Sequence, residues 1–306
     1  MSPTLPPTTP MEGADRTAVF EAERPRLLAV AYRMLGSRSE AEDVVQDAWV
    51  RWAGSDGVDC PKRWLHTVTS RLALDQLRSA RRRREEYVGP WLPEPVDVES
   101  FRDPAELADS LSMALLAVLE RLTPDERAAF LLRQVFDYPY ADVASVVGKP
   151  EATCRQLVHR ARKHLEQEKP RFQTPRARRE ELLRLFAAAA TSGDLSPLVQ
   201  WLDRDVVLTT DGGGRVPSAL RPIVGAEKVA RFFLGVWPKR PPGTEVFLRE
   251  LNGEPALVAV AGGVAVQTLH FDFSVDGRLG SIFIVRNPEK LRHLSVDPPA
   301  GDPSAT

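Results

Sequence analysis

Several features that would narrow the function are missing from this chain. It has only two cysteines, Cys60 and Cys154, in 306 residues. They fit no metal-ligand spacing, so free thiols are expected, and neither a disulfide scaffold nor a cysteine metal centre is. No stretch approaches the ~18 consecutive apolar residues of a membrane span. The opening MSPTLPPTTP has neither the basic start nor the apolar core of an export signal, so the expected compartment is the cytoplasm, with no membrane partner. Asp211-Gly212-Gly213-Gly214 resembles a phosphate cradle but lacks the lysine and the strand–loop–helix setting of a P-loop. No catalytic residue, metal or cofactor is assigned.

What is present is ordinary in bulk and uneven in detail. Hydrophobic residues make up 43% and charged residues 27%, as in soluble globular proteins, and the length suits two or three domains. The net charge is −1, yet the arginines are clustered. Arg78 and Arg81 to Arg84 form one block. Arg155, Arg160, Arg162 and Lys163 form a second, which Arg171, Arg176, Arg178 and Arg179 extend. Two basic clusters on a near-neutral chain suggest two anion contacts.

The first part, residues 16–84, reads as helical after a disordered leader, 1–15. Leu27, Leu28, Tyr32 and Leu35 have helical spacing, and Gly36 is placed to end that helix. Ser39 and Glu42 have the form of a capping box. The helix they open puts Ala41, Val44, Val45, Ala48 and Trp52 on one face and Glu42, Asp43, Gln46, Asp47 and Arg51 on the other. A third helix begins at Pro61 with Leu65, Val68 and Leu72 inward and arginines at its end. Residues 85–108 interrupt the pattern as a linker, and helix returns over 109–172. There Ala144, Gly148, Cys154 and Leu157 sit at helix-turn-helix spacings. Cys154, Leu157, Ala161 and Leu165 form a buried stripe, which leaves Thr153, Arg155, Gln156, His159, Arg160, Arg162 and Lys163 outward. Such side chains reach base edges and phosphates in a major groove.

Residues 176–294 change character. One helix precedes a strand, Asp205–Thr210, a glycine-rich turn, and a continuation Arg215-Val216-Pro217. A helix at 226–236 and strands at 244–251, 255–261, 264–274 and after Asp276-Gly277 follow. Helices followed by a hairpin-linked antiparallel sheet indicate a small α+β domain. The tail, 295–306, reads as disordered.

AYRMLGSRSEAEDVVQDAWVRW, WLHTVTSRLALDQLRSARRRREEYVGPWLPEP and LTPDERAAFLLRQVFDYPYADVASVVGKPEATCRQLVHRARK, in that order, closely resemble extracytoplasmic-function sigma factors. DVVLTTDGGGRVPSALRPIVGAEKVARFF and VRNPEKLRHL resemble the SnoaL-like (NTF2-like) extension of one subgroup. The resemblance covers all but the termini. It implies a multidomain protein: an all-α sigma domain 2, a helix-turn-helix sigma domain 4, then an α+β SnoaL-like cone. It implies two partners, core RNA polymerase and promoter DNA. Glu42, Asp43, Val44, Gln46 and Asp47 would bind polymerase. Trp64, Arg71, Arg78, Arg81 and Arg82 would serve the −10 element, Trp64 being either a base-stacking platform or a core residue. Many relatives have Asn where this chain has Arg71. Thr153, Arg155, Gln156, His159, Arg160 and Arg162 would serve the −35 element. The extension would regulate in cis, as an anti-sigma protein does elsewhere.

Two questions stay open at this level. His270 and Asp272, two apart on a strand, are either an acid/base pair or a satisfied surface pair. A small-molecule ligand in a SnoaL-like pocket is compatible with the reading, but no residue pattern identifies one. A DNA-tethered enzyme and a ligand-sensing DNA-binding regulator are the competing readings. Finally, YVGPWLPEP (87–95) is too apolar for a plain spacer. Its prolines hold Trp91 and Leu92 in a strip with little ordering entropy left to lose. The expectation is that the C-terminal domain grips this strip, rimmed by Asp211, Gly212, Gly213 and Gly214 and by Asn287, Pro288, Lys290 and Leu291. The alternative is that Trp91 packs on its own sigma domain.

Overall fold

The computed structural model describes residues 13–97, 112–168, 175–192, 200–274 and 276–294. The expected disordered tail, all but the end of the leader, and the second half of the linker lie outside these residues. The chain forms two compact units. One comprises the described residues of Met1–Arg82 and Leu122–His164, and the other those of Arg83–Ser100, Pro104–Arg121 and Leu165–Thr306. This division differs from the sequence-based segments: the linker and the first helix after it group with the C-terminal sheet.

The first unit is helical. Helix α1 (Gly13–Leu35) ends where Gly36 adopts φ 67, a conformation that costs glycine little. Helix α2 (Arg38–Ala53) is capped by Ser37, whose hydroxyl accepts from the Glu40 amide. The cap therefore falls two residues before the expected Ser39. Trp52 ties the two helices together, donating from Nε1 to the Arg16 carbonyl at 3.0 Å, while Arg16 donates back to the Trp52 carbonyl at 3.2 Å. Helix α3 (Pro61–Glu85) buries Leu65, Thr69, Ser70, Ala73, Leu74, Leu77 and Ala80. The expected inward residues Val68 and Leu72 are only half-buried, because the inward face drifts around the helix.

Helix α4 (Met113–Leu119) belongs to the second unit. Helix α5 (Pro124–Phe130) opens with a reciprocal box: Thr123 accepts from the Glu126 amide and Glu126 accepts from that of Thr123. Arg127, 1% exposed, donates twice to the Arg33 carbonyl, at 2.8 and 3.1 Å, and so pins α5 to the end of α1. Helices α6 (Tyr140–Val147) and α7 (Glu151–Glu168) are joined through Gly148 at φ 71. Cys154, Leu157, Ala161 and Leu165 are buried, with Val158 added.

The second unit is built on a six-stranded sheet ordered β2-β1-β6-β5-β4-β3. The strands are β1 (Leu202–Asp211), β2 (Ile223–Val224), β3 (Glu245–Leu251), β4 (Glu254–Ala261), β5 (Val264–Phe273) and β6 (Leu279–Val285). All neighbours are antiparallel except β1 and β6, which run parallel, a correction to the all-antiparallel expectation. Arg215–Pro217 does not continue β1. Arg215 and Val216 donate back to the Gly212 carbonyl and keep the chain turning, and β2 supplies the partner strand.

Both faces of this sheet are covered. On the inner face, Leu257, Leu269, Phe271, Ile282 and Ile284 pack with Leu182, Leu183 and Phe186 of helix α8 (Arg176–Ser192) and with Val229 and Phe233 of helix α9 (Ala226–Val236). Strand alternation sends Ala256, Val258, Phe283 and Val285 the other way. There Val285 meets Leu92 of the linker, Met113 of α4 and Leu291 of the short helix α10 (Pro288–Leu291). An antiparallel sheet commonly leaves one face to water. In this unit the linker and α4 occupy that face.

Candidate functional site

Within the helical unit, α2 presents Glu42, Asp43, Gln46 and Asp47 as an exposed polar ridge. Val44, grouped with that ridge for polymerase binding although its spacing set it on the apolar face, is 5% exposed and lies in the core, so it supports the ridge from behind. The face exists because Ala41, Val44, Val45, Ala48 and Trp52 bury the opposite side.

The basic edge of α3 is occupied. Arg63 bonds Asp142, with Nε to Oδ1 at 2.9 Å. Arg71 donates to the Ser145 carbonyl at 2.9 Å and its hydroxyl at 2.8 Å. Arg78 bonds Asp125 at 2.8 Å. Each partner lies on α5 or α6, so the helix-turn-helix is stitched to α3 through groups that suit phosphate equally well. Arg81 and Arg82 are exposed at the end of α3. Trp64 is half-buried beside Trp52, with ring centroids 5.5 Å apart. His66 sits deeper, bonded to Glu23 at 2.8 Å and to the Tyr138 hydroxyl. Burial holds its imidazole below the ordinary value against the pull of Glu23.

On α7, Arg155, Gln156, His159, Arg160, Arg162 and Lys163 are exposed and Thr153 is half-buried. Arg155 is positioned by Glu151 at 2.8 Å and by the Tyr140 ring at 4.2 Å. Arg160 pairs with Glu126 at 3.2 Å. Of the expected extension of this basic cluster, Arg171 lies outside the described residues, and Arg176, Arg178 and Arg179 are bound within the second unit. They pair with Glu180 and Glu250, with Glu181, and with Glu254.

The second unit holds the linker in a buried polar clamp. Asp211, 0% exposed at the end of β1, uses both carboxylate oxygens. Oδ1 accepts from the Tyr87 hydroxyl at 2.6 Å and the Gly213 amide at 3.0 Å. Oδ2 accepts from the Leu92 amide and from Lys290 Nζ, both at 2.8 Å. Lys290 also donates to the Leu92 carbonyl. Burial draws the Lys290 ammonium below its ordinary value, and the Asp211 charge opposes that. Trp91 has the Arg84 guanidinium 3.6 Å and Lys290 Nζ 3.9 Å from its ring centroid, a doubled cation–π contact. Asn287 caps α10 by accepting from the Glu289 amide at 3.0 Å and donates from Nδ2 to the Tyr87 hydroxyl at 2.9 Å. Burial, then the bond to Asp211, pushes the Tyr87 phenol above its ordinary range, so it remains a donor.

The glycines have steric work here. A Cβ on Gly213 would lie 2.7 Å from Asn287 Cγ and 2.8 Å from the Tyr87 hydroxyl, and one on Gly214 would lie 3.2 Å from Val88. Gly212 packs as tightly on its own turn, and Pro288 starts α10 from an exposed position. The structure thus brings Trp91, Leu92, Asp211, Gly213, Gly214, Asn287, Lys290 and Leu291 together. Three participants escaped the sequence reading. Tyr87 belongs to the odd linker stretch itself. His293 bonds the Pro95 carbonyl at 2.6 Å, and Asn252 exchanges two bonds with Val96, at 2.7 and 3.2 Å. Asn252 and Gly253, both at positive φ, turn β3 into β4, and Asn252 holds the linker as well.

His270 is 4% exposed, and burial pushes its imidazole down to about 3. It bonds the Thr268 hydroxyl at 3.2 Å, on the sheet face opposite Leu269 and Phe271. It is a neutral packed residue, so it is neither half of an acid/base pair nor part of the expected surface pair. Both cysteines are free, and no three His, Cys, Asp or Glu among the described residues are placed to hold a metal. No helix among them is long and apolar enough to cross a membrane.

Comparison with known families and structures agrees with this geometry. Residues 19–83 match the family model for sigma-70 region 2, and residues 112–165 match that for sigma-70, region 4. The chain is 41% identical over 288 residues to the ECF RNA polymerase sigma factor SigJ of Mycobacterium tuberculosis H37Rv, covering 89% of this chain and 92% of that one. It is 33% identical to the probable ECF RNA polymerase sigma factor SigI of M. tuberculosis CDC 1551, with 92% and 96% covered. The crystal structure of SigJ superposes with a TM-score of 0.72 at 39% identity, over 90% of this chain and 98% of the other.

Proposed function

The chain belongs to the extracytoplasmic-function RNA polymerase sigma factors, in the group with a C-terminal SnoaL-like domain, and from that premise we propose which surfaces do its work. It directs promoter-specific transcription initiation, partners core RNA polymerase and promoter DNA, and is not an enzyme. Its place of action is then the cytoplasm. The α2 ridge of Glu42, Asp43, Gln46 and Asp47 docks on polymerase. Arg71, Arg78, Arg81 and Arg82 serve the −10 element. Thr153, Arg155, Gln156, His159, Arg160 and Arg162 serve the −35 element.

The clamp on the linker carries the regulatory reading. A linker free to vary would let sigma regions 2 and 4 sample many spacings. One whose Leu92 amide and carbonyl are both bound to the Asp211–Lys290 pair is held in one conformation. The SnoaL-like domain therefore restrains the sigma regions through the segment that joins them. The arginines of α3 that are spent on the helix-turn-helix point the same way, since DNA must displace those contacts.

In vitro transcription with core polymerase tests this. Replacing Asp43 and Gln46 together by alanine should lower promoter-specific output by roughly tenfold or more, as losing an interface hot spot does. Trp91→Ala removes the half-buried ring that Lys290 and Arg84 flank, and output should rise several-fold. Wild-type output from Trp91→Ala, with core binding intact, would remove the clamp from regulation.

A further inference from the structure

A cavity of about 450 Å³ opens on the inner face of the SnoaL-like sheet, between the sheet and the end of α9. That volume is within the ~300–1,000 Å³ of small-molecule sites. Its walls are largely apolar: Phe232, Phe233, Val236, Leu269 and Ile284. The charged residues lining it are all cationic, namely Lys239, Arg240 and Arg286. Acid/base catalysis of the kind this fold supports elsewhere needs a carboxylate or imidazole at the cavity, and none of its lining residues supplies one.

Two nitrogen donors on this lining are unsatisfied. Trp237 Nε1 and Arg286 Nε are buried, and neither has a hydrogen-bond partner among the described residues. Leaving a buried donor unpaired is costly, and native interiors rarely do so without a reason. Two other polar groups nearby already have partners. The Thr210 hydroxyl is bonded to the Ala219 amide at 2.8 Å and carbonyl at 3.1 Å, and Arg286 Nη1 donates to the Pro217 carbonyl at 2.5 Å. Arg240 lies 4.5 Å from the Trp237 ring centroid and adds positive charge beside that indole.

We propose that this cavity binds a small amphipathic carboxylate, its apolar body among Phe232, Phe233, Leu269 and Ile284 and its head accepting from Trp237 Nε1 and Arg286 Nε. Apolar walls exclude a sugar or nucleotide as the main occupant. The all-cationic lining excludes an amine, and the two donors need an acceptor that a plain hydrocarbon lacks. The proposal stands on the cavity alone and does not depend on the linker clamp.

Calorimetric titration of the full-length protein with octanoate, decanoate and dodecanoate, each below its micellar concentration, tests it. At least one should bind saturably, one per chain. Decanol and decylamine should bind roughly tenfold more weakly, since a bond to a charged head contributes the difference. Trp237→Phe and Arg286→Met should each weaken the carboxylate by a similar factor while the unliganded melting temperature stays close to wild type. If Arg286→Met melts early, Trp237→Phe, which keeps the ring and removes the donor, decides alone. No saturable binding by any of the three acids would overturn the assignment. So would equal binding of the alcohol and amine, or wild-type affinity in Trp237→Phe.

Discussion

The two compact units hold their parts together by opposite means. In the helical unit, α3 meets the helix-turn-helix through guanidinium contacts near water: the Arg78 side chain is 45% exposed and Arg63 is 64% exposed. In the second unit, the linker meets the sheet through an ion pair whose members are 7% and 0% exposed, backed by Leu92 in an apolar cluster. Exposed pairs contribute little and exchange readily with phosphate. A buried pair is hard to break once formed, because either charge left alone is stranded away from water. The contrast separates contacts open to exchange from contacts that persist.

The largest effect expected is at Lys290. Lys290→Met strands the Asp211 carboxylate and should cost about 3–5 kcal/mol in thermal or urea unfolding of the second unit. Adding Asp211→Asn should return part of that loss, and no recovery in the double variant would show that the charges are not coupled. Next comes acid. His270 is held neutral down to about 3 against an ordinary 6.5, so the folded state binds fewer protons than the unfolded one between these values. Its packing is fully compatible with folding above about pH 6.5, and stability is lost progressively as pH falls below it. At pH 5 the loss is about 2 kcal/mol, and His270→Gln should flatten that slope. The smallest effect is at the exposed stitches. Arg63→Ala, which breaks the exposed pair with Asp142, should change stability by no more than about 1 kcal/mol, and less in high salt. A larger, salt-insensitive loss would erase the distinction between the units.

Much of this was readable in the residues, and the misses have physical causes. The helix-turn-helix stripe of Cys154, Leu157, Ala161 and Leu165 was legible because helical period and burial agree there. The cap at Ser37 was missed because Ser39–Glu42 fits the same local pattern, and only the burial of Ala41 and Val45 sets the phase. Val44 was grouped with the polymerase contacts by resemblance, although helical spacing had already turned it inward. The parallel pairing of β1 with β6 joins segments far apart in the chain, which no hairpin signal reports. The clamp was half visible. Trp91 and Leu92 stood out as apolar residues in a linker, and the Asp211 turn and the Asn287 segment were named as its rims. Asn252 and His293 were silent, because each reaches the linker across a separation in sequence that no local pattern reports.

The sheet covered on both faces has a consequence for how such proteins are cut and joined. The outer face carries Phe283 and Val285, and part of their cover is supplied by Leu92 and Met113, which precede the helix-turn-helix in sequence. A truncation after residue 172 therefore does not trim an appendage. It removes half of a hydrophobic core and bares the other half on the linker. The extension expressed alone would carry the matching wound. The smallest piece that could be moved intact to another protein is discontinuous: the sheet with its helices, the stretch from Tyr87 to Val96, and helix α4.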